Sequence, residues 1–185
     1  MAERAGVRPG GRSARVQQAV HQAVKCLEAS APRESLTVPR IAATAGVTPS
    51  TIYRRWGDLA ELLADVSLSR LRPDGEPPDT GTLVGDLQAW GEQYLEEMVS
   101  APGQRALNDV MASADLERRQ CCYRYGESIM ATLVARARAR GEAAPEVAAL
   151  MDGVVAPMTY RLLYDPEGAT PARLSVWIAG VLRWA

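Results

Sequence analysis

Apolar residues in this chain recur at steps of three and four, segment after segment, and almost never in the alternation of a half-buried strand. Val16, Val20, Val24 and Leu27 form one such row, and Leu83, Leu87, Trp90, Tyr94 and Met98 form another. Leu150, Met151, Val154, Val155, Met158 and Leu162 make a third. No Asn-Gly or Asp-Gly turn joins two alternating runs. The chain is therefore expected to be all-α.

Local signals bound the helices. The first is expected from Ser13 to Ser30, and the second begins near Thr37, whose hydroxyl can cap it. The third starts at Thr48-Pro49, a cap followed by a proline whose missing N–H costs nothing at the first helical position. The fourth starts at Asp58, with Glu61 placed to reach back to the cap, and runs to about Leu71. Residues 72–81 (RPDGEPPDTG) gather three prolines and two glycines and must leave helix. This divides the chain into a head (1–57), a connecting helix (58–71), a linker (72–81) and a helical body (82–185). In the body, helices are expected after Pro102, from Asp115 to Gly141, from Pro145, and from Ala172 to Trp184. Pro157 cannot donate to the carbonyl of Gly153, so its helix should kink or loosen there.

Charge follows the same division. The formal net charge of −1 hides a segment through Gly57 with nine basic and three acidic residues, +6, and a remainder of −7. A basic head on an acidic body implies that only the head meets a polyanion. The apolar content of 47% fills a real core, and no apolar run reaches the roughly 20 residues of a membrane span. Met1 to Arg15 is polar and arginine-rich, which does not fit a secretory signal. Cys26, Cys121 and Cys122 lack metal-ligand spacing and read as free thiols of a cytoplasmic, nucleoid-associated protein. No phosphate-cradling loop, nucleophile elbow or catalytic carboxylate pair stands out, so neither enzymatic activity nor a cofactor or metal is expected.

The most informative stretch is Ile41 to Trp56, IAATAGVTPSTIYRRW. A small residue at Ala42 allows close helix approach, and Gly46 suits the left-handed turn between two short helices. Ile52 plugs the gap between them, with Val47 beside it. The outer face of the second helix is then Pro49, Ser50, Thr51, Tyr53, Arg54 and Arg55, groups that fit a major groove and bond phosphates and base edges. A hairpin buried in a core would not present that face.

The run Thr37-Val38, Ile41-Ala42, Ala45-Gly46-Val47 and Thr51-Ile52-Tyr53-Arg54-Arg55-Trp56 resembles the TetR family of bacterial transcriptional regulators, over Arg15 to about Asp65. The resemblance implies an N-terminal three-helix helix-turn-helix DNA-binding domain and a C-terminal helical dimerisation and ligand-binding domain. It further implies a homodimer on palindromic operator DNA, usually a repressor released by a small molecule. Carried over position by position, the operator contacts are Thr37, Arg40, Thr48, Pro49, Ser50, Thr51, Tyr53, Arg54 and Arg55. Where the family usually has a phosphate-binding lysine near the start of the fourth helix, this chain has Leu59. Arg8, Arg12 and Arg15 of the arm either compensate on the DNA or form a solvated tail. By the same resemblance the last two helices pair subunits through Val154, Met158, Leu162, Trp177, Val181 and Trp184, unless those stripes are buried within one subunit.

Trp90, Tyr94, Met98, Met111, Tyr123, Tyr125 and Met130 either line a cavity for a small apolar effector or fill a core. His21 reads as a polar surface residue, and Asp115, Glu117, Arg118 and Arg119 as a helix start on a solvated face. Two alternatives stay open: a helix-turn-helix regulator of another type without a ligand, and a non-catalytic helical interaction protein.

Overall fold

The computed structural model describes residues 11–183. Nine helices, two short 3-10 turns (Arg33–Ser35 and Pro166–Gly168) and no strand occur among the described residues. The arm arginine Arg8 and the side chain of Arg12 lie outside that description, as does Trp184. No helix among the described residues is long and apolar enough to cross a membrane.

The chain divides into two compact units at Val66/Ser67, within the fourth helix. In the first unit, α1 (Arg12–Ser30) turns Val20, Val24 and Leu27 onto α2 (Val38–Ala45) and α3 (Pro49–Trp56). Thr37 caps α2 as expected, its Oγ1 accepting from the Arg40 N–H at 3.4 Å. The helix ends where Gly46 enters the left-handed region at φ 67°, letting the Val47 N–H return to the Ala42 carbonyl at 3.0 Å. Thr48 does not cap α3. Its hydroxyl lies 2.9 Å from that of Ser50 and 3.0 Å from that of Thr51 instead. α4 (Leu59–Leu71) starts as the sequence implies, with Asp58 Oδ1 accepting from the Glu61 N–H at 2.9 Å. Ile41, Ala42, Ile52, Leu62 and Val66 close the core of this unit.

The second unit holds α5 (Leu83–Val99), α6 (Ala101–Ala112), α7 (Leu116–Ala139), α8 (147–164) and α9 (Pro171–Leu182). Residues 72–81 are irregular, and Arg136 of α7 donates to the Pro77 carbonyl at 2.7 Å and pairs with Glu76. α8 starts at Val147, two residues past Pro145. It widens into a π turn over Met151–Val155, where the Ala156 N–H reaches back five residues to Met151. Pro157 stands one residue past that turn, and its missing N–H is the reason the ordinary four-residue ladder cannot run through Gly153. Gly153 also packs so closely on α9 that a Cβ there would collide with Val181.

An ion cluster built on one buried carboxylate joins the start of α5 to the end of α7. Asp86 is fully buried, accepts from the Thr80 N–H at 2.6 Å and pairs with Arg140 at 3.0 Å. Glu142 bonds Arg140 and also receives the Leu83 N–H at 2.8 Å, helping to start α5. Burial alone would raise the Asp86 carboxyl, but the Thr80 bonds and the Arg140 guanidinium outweigh it and hold it below the usual range.

Candidate functional site

α3 is held on its inner face by Ile52 (0% exposed) and Trp56, both in the head core. That leaves Pro49, Ser50, Tyr53, Arg54 and Arg55 exposed and Thr51 partly so. Thr37, Arg40 and Thr48 are exposed as well, at the N-terminal ends of α2 and α3. The structure therefore brings together one surface of hydroxyls, an aromatic ring and guanidiniums on two short helices joined by a turn.

The guanidiniums on this surface are not equivalent. Arg54 has no hydrogen bond or ion pair among the described residues. Arg40 reaches Ser35 Oγ at 2.8 Å. Arg55 turns back onto α1, donating to Ser13 Oγ at 2.6 Å and Gln17 Oε1 at 2.7 Å, with its guanidinium 5.2 Å from the centre of the Trp56 ring. In this arrangement Arg55 braces α3 against α1. Arg54 is the cation left to reach outward.

A second brace was not visible in the sequence. One carboxylate oxygen, Asp65 Oδ2, accepts from Trp56 Nε1 at 2.8 Å and Gln17 Nε2 at 3.1 Å and lies 2.8 Å from His21 Nε2. It thereby ties α1, α3 and α4 at one point. His21 is no casual surface residue: its side chain is only 13% exposed and lies against Asp65. The available signal was spacing. Gln17 and His21 stand one turn apart beside the apolar row of α1, and Asp65 follows Leu62 by three on the inward side of α4.

The second unit holds a half-open cavity of about 690 Å³. Trp90, Tyr94, Met98, Met111 and Tyr123 all line it, whereas Met130 is fully buried in the core behind. The rings of Trp90 and Tyr94 stack with centroids 5.5 Å apart. Tyr125 lines it too, as do Tyr160, Tyr164 and Arg119, three residues that the sequence does not mark as cavity candidates. Arg119, Cys122, Tyr123 and Gly126 share one stripe of α7 at steps of three and four, which was the legible clue. Instead of a solvated helix start, Arg119 is half-buried. Burial, reinforced by Cys121, pushes the Cys122 thiol up to about 11, and burial also raises the Tyr94 phenol. Both groups stay neutral near pH 7. The three cysteines are free, with Cys26 exposed.

The proposed interface residues fall into two groups. Val154, Met158 and Leu162 are fully buried against the same subunit's own core, which leaves them no surface to offer a second chain. Trp177 and Val181 are half-buried on α9, beside Val176, which is 68% exposed. No group of histidine, cysteine and carboxylate suited to a metal occurs among the described residues.

Two family models match the chain. The one described as bacterial regulatory proteins of the tetR family covers residues 29–66, and the one described as a tetracyclin repressor-like C-terminal domain covers residues 77–181. An uncharacterized HTH-type transcriptional regulator of Mycobacterium tuberculosis is 32% identical over 103 residues, 50% of this chain and 51% of that protein. The HTH-type transcriptional regulator AqdR of Rhodococcus erythropolis is 28% identical over 113 residues, 61% of this chain and 55% of AqdR. The chain thus spans about half the length of the curated relatives it matches. A TetR transcriptional regulator from a Rhodococcus species shares the fold with a TM-score of 0.61 at 12% identity, over 92% of this chain and 95% of that one. A Mesorhizobium loti protein assigned to the TetR family gives 0.59 at 16% identity, over 94% and 98%.

Proposed function

The chain belongs to the TetR family of bacterial transcriptional regulators, and from that membership we propose that it is a repressor working as a homodimer on a palindromic operator. The observation that carries this reading is the outward face of α3. Its small residues, hydroxyls, Tyr53 and unengaged Arg54 stand on a helix whose inner face is fixed by Ile52, Trp56 and the Asp65 brace. Such a helix enters a major groove, and two copies related by a two-fold axis read an inverted repeat. The setting proposed for it is the bacterial cytoplasm, on the nucleoid.

The release signal in this reading is a small, largely apolar molecule in the body cavity, whose volume lies within the range of drug-sized ligand sites. α4 is the element suited to carry the signal, because Leu62 and Val66 belong to the head core while Arg70 and Leu71 line the cavity. A hundredfold loss of DNA affinity on ligand binding needs about 2.7 kcal/mol of coupling.

The experiment is capture of fragmented genomic DNA by the full chain, followed by sequencing and a mobility shift. Recovery of fragments sharing an inverted repeat, bound at two chains per site, is the expected result. Retention that is indifferent to sequence, or one chain per site, would refute the dimeric repressor.

A further inference from the structure

We propose that the cavity of the second unit selects flat, uncharged aromatic molecules carrying an acceptor oxygen, and that the guanidinium of Arg119 takes that oxygen. This rests on the sensor reading above and names the chemistry of its ligand. Three observations lead to it.

The first is the wall. Five of the chain's six tyrosines line this one cavity: Tyr94 and Tyr125 lie deeper, beside Trp90 stacked on Tyr94, and the largely exposed Tyr123, Tyr160 and Tyr164 stand at its open side. Rings prefer offset or edge-on contact with other rings, so such a wall favours a planar aromatic guest over an aliphatic chain of equal volume.

The second is an unmet donor. Arg119 lines the cavity, and its Nε is shut away from solvent with no hydrogen-bond partner among the described residues. A buried donor without an acceptor is costly, and a guanidinium can donate but never accept. A guest oxygen that the side chain can turn to meet would remove that cost, whereas a pure hydrocarbon would leave it in place.

The third is charge. Glu76 is taken by Arg136 at 2.7 Å. The remaining ionic groups of the lining balance in sign, Arg70, Arg72 and Arg119 against Asp74, Glu97 and Asp152. The cavity therefore offers an anion no net attraction to offset the loss of its hydration, and a neutral carbonyl meets the donor without that loss.

The test uses three probes on the full-length protein: naphthalene, 2-acetylnaphthalene and 2-naphthoate, with dissociation constants measured by thermophoresis. In the unaltered chain 2-acetylnaphthalene should bind about tenfold more tightly than naphthalene, the worth of one hydrogen bond to a charged donor. Arg119→Met should abolish that difference while changing naphthalene binding less than about twofold, which also reports an intact cavity. Should the methionine variant not fold, Arg119→Gln replaces it, and the comparison of probes on the unaltered chain decides independently. Equal binding of naphthalene and 2-acetylnaphthalene, or a preference that survives at Arg119→Met, overturns the assignment to Arg119 and leaves the sensor reading standing. Tighter binding of 2-naphthoate than of 2-acetylnaphthalene overturns the neutral guest in favour of an anion. If none of the three binds, the aromatic assignment falls, while an aliphatic guest would still satisfy the sensor reading.

Discussion

Arg54 and Arg55 are neighbours of the same chemical type on one short helix, yet their surroundings give them different work. Arg54 points away from the fold, so Arg54→Ala should leave the melting temperature within a few degrees while weakening operator binding by about 1–3 kcal/mol, the worth of one good contact. Tyr53, 49% exposed on the same face, should behave likewise when changed to Ala. A large loss of stability with unchanged operator affinity for either variant would place that residue in folding instead. Asp65 predicts the opposite signature. Its oxygen serves Trp56, Gln17 and His21 together, and removing the side chain leaves all three without that acceptor. Asp65→Ala should cost about 1.5–3 kcal/mol of stability. Because α3 loses its brace, operator affinity should fall even at temperatures where the variant is fully folded, though residue 65 lies outside the DNA-facing set. Unchanged affinity in the folded variant would show that Ile52 and the core alone set the position of α3.

At the scale of elements, the joint between α5 and α7 depends on one buried carboxylate. Removing the charge of Asp86 leaves Arg140 without its most buried partner, although Arg140 remains 24% exposed and keeps Glu142 and Asp79. Asp86→Asn should therefore destabilise by about 2–3 kcal/mol, less than a wholly dry pair would lose. The pH dependence follows from the direction of the shift. A carboxyl held below its ordinary value of 3.8 contributes stability above that value and loses it as pH falls through the lower, folded one. Denaturant titrations should then find the gap between the unaltered chain and Asp86→Asn constant from about pH 5 to 7 and shrinking below about pH 4. A constant gap down to pH 3 would mean that the charge on Asp86 contributes nothing. The π turn of α8 is a second lesson at this scale, since one missing N–H at Pro157 reshapes the preceding turn without ending the helix.

For the whole molecule, the dimeric reading needs a face that can pair subunits. Val154 lies in the core, so Val154→Arg would force an unpaired charge into packed side chains and unfold the body, without producing a folded monomer. Of the two helices expected to pair subunits, α9 keeps part of its apolar stripe at the surface. Val176, Trp177, Gly180 and Val181 recur on it at steps of three and four and are exposed or half-buried. In the dimeric reading, Val176→Arg should give a folded monomer by light scattering, with far weaker operator binding because half of the contacts are lost. A full dimer with Val176→Arg would move the interface elsewhere.

The sequence by itself determined the helical class, most of the caps and the outward face of α3. Each of these rests on local rules: a periodicity, a hydroxyl or proline at a helix start, and a glycine where φ must be positive. Gly46 could be read because no neighbour distant in the chain decides its conformation. Six of the seven residues that the sequence offers for a cavity line this one, but periodicity could not tell Met98 at the cavity wall from Met130 behind it. Both are apolar and both point inward; only the packing of α5, α6, α7 and α8 around a shared space separates lining from filler. The same holds for Val154, Met158 and Leu162, whose stripe fits an interface or a core equally well until α9 lies across it. Asp65 and Arg119 went unread for the complementary reason. What a charged side chain does depends on partners 44 or 48 residues away, or on finding none, and that is decided only when the chain has folded.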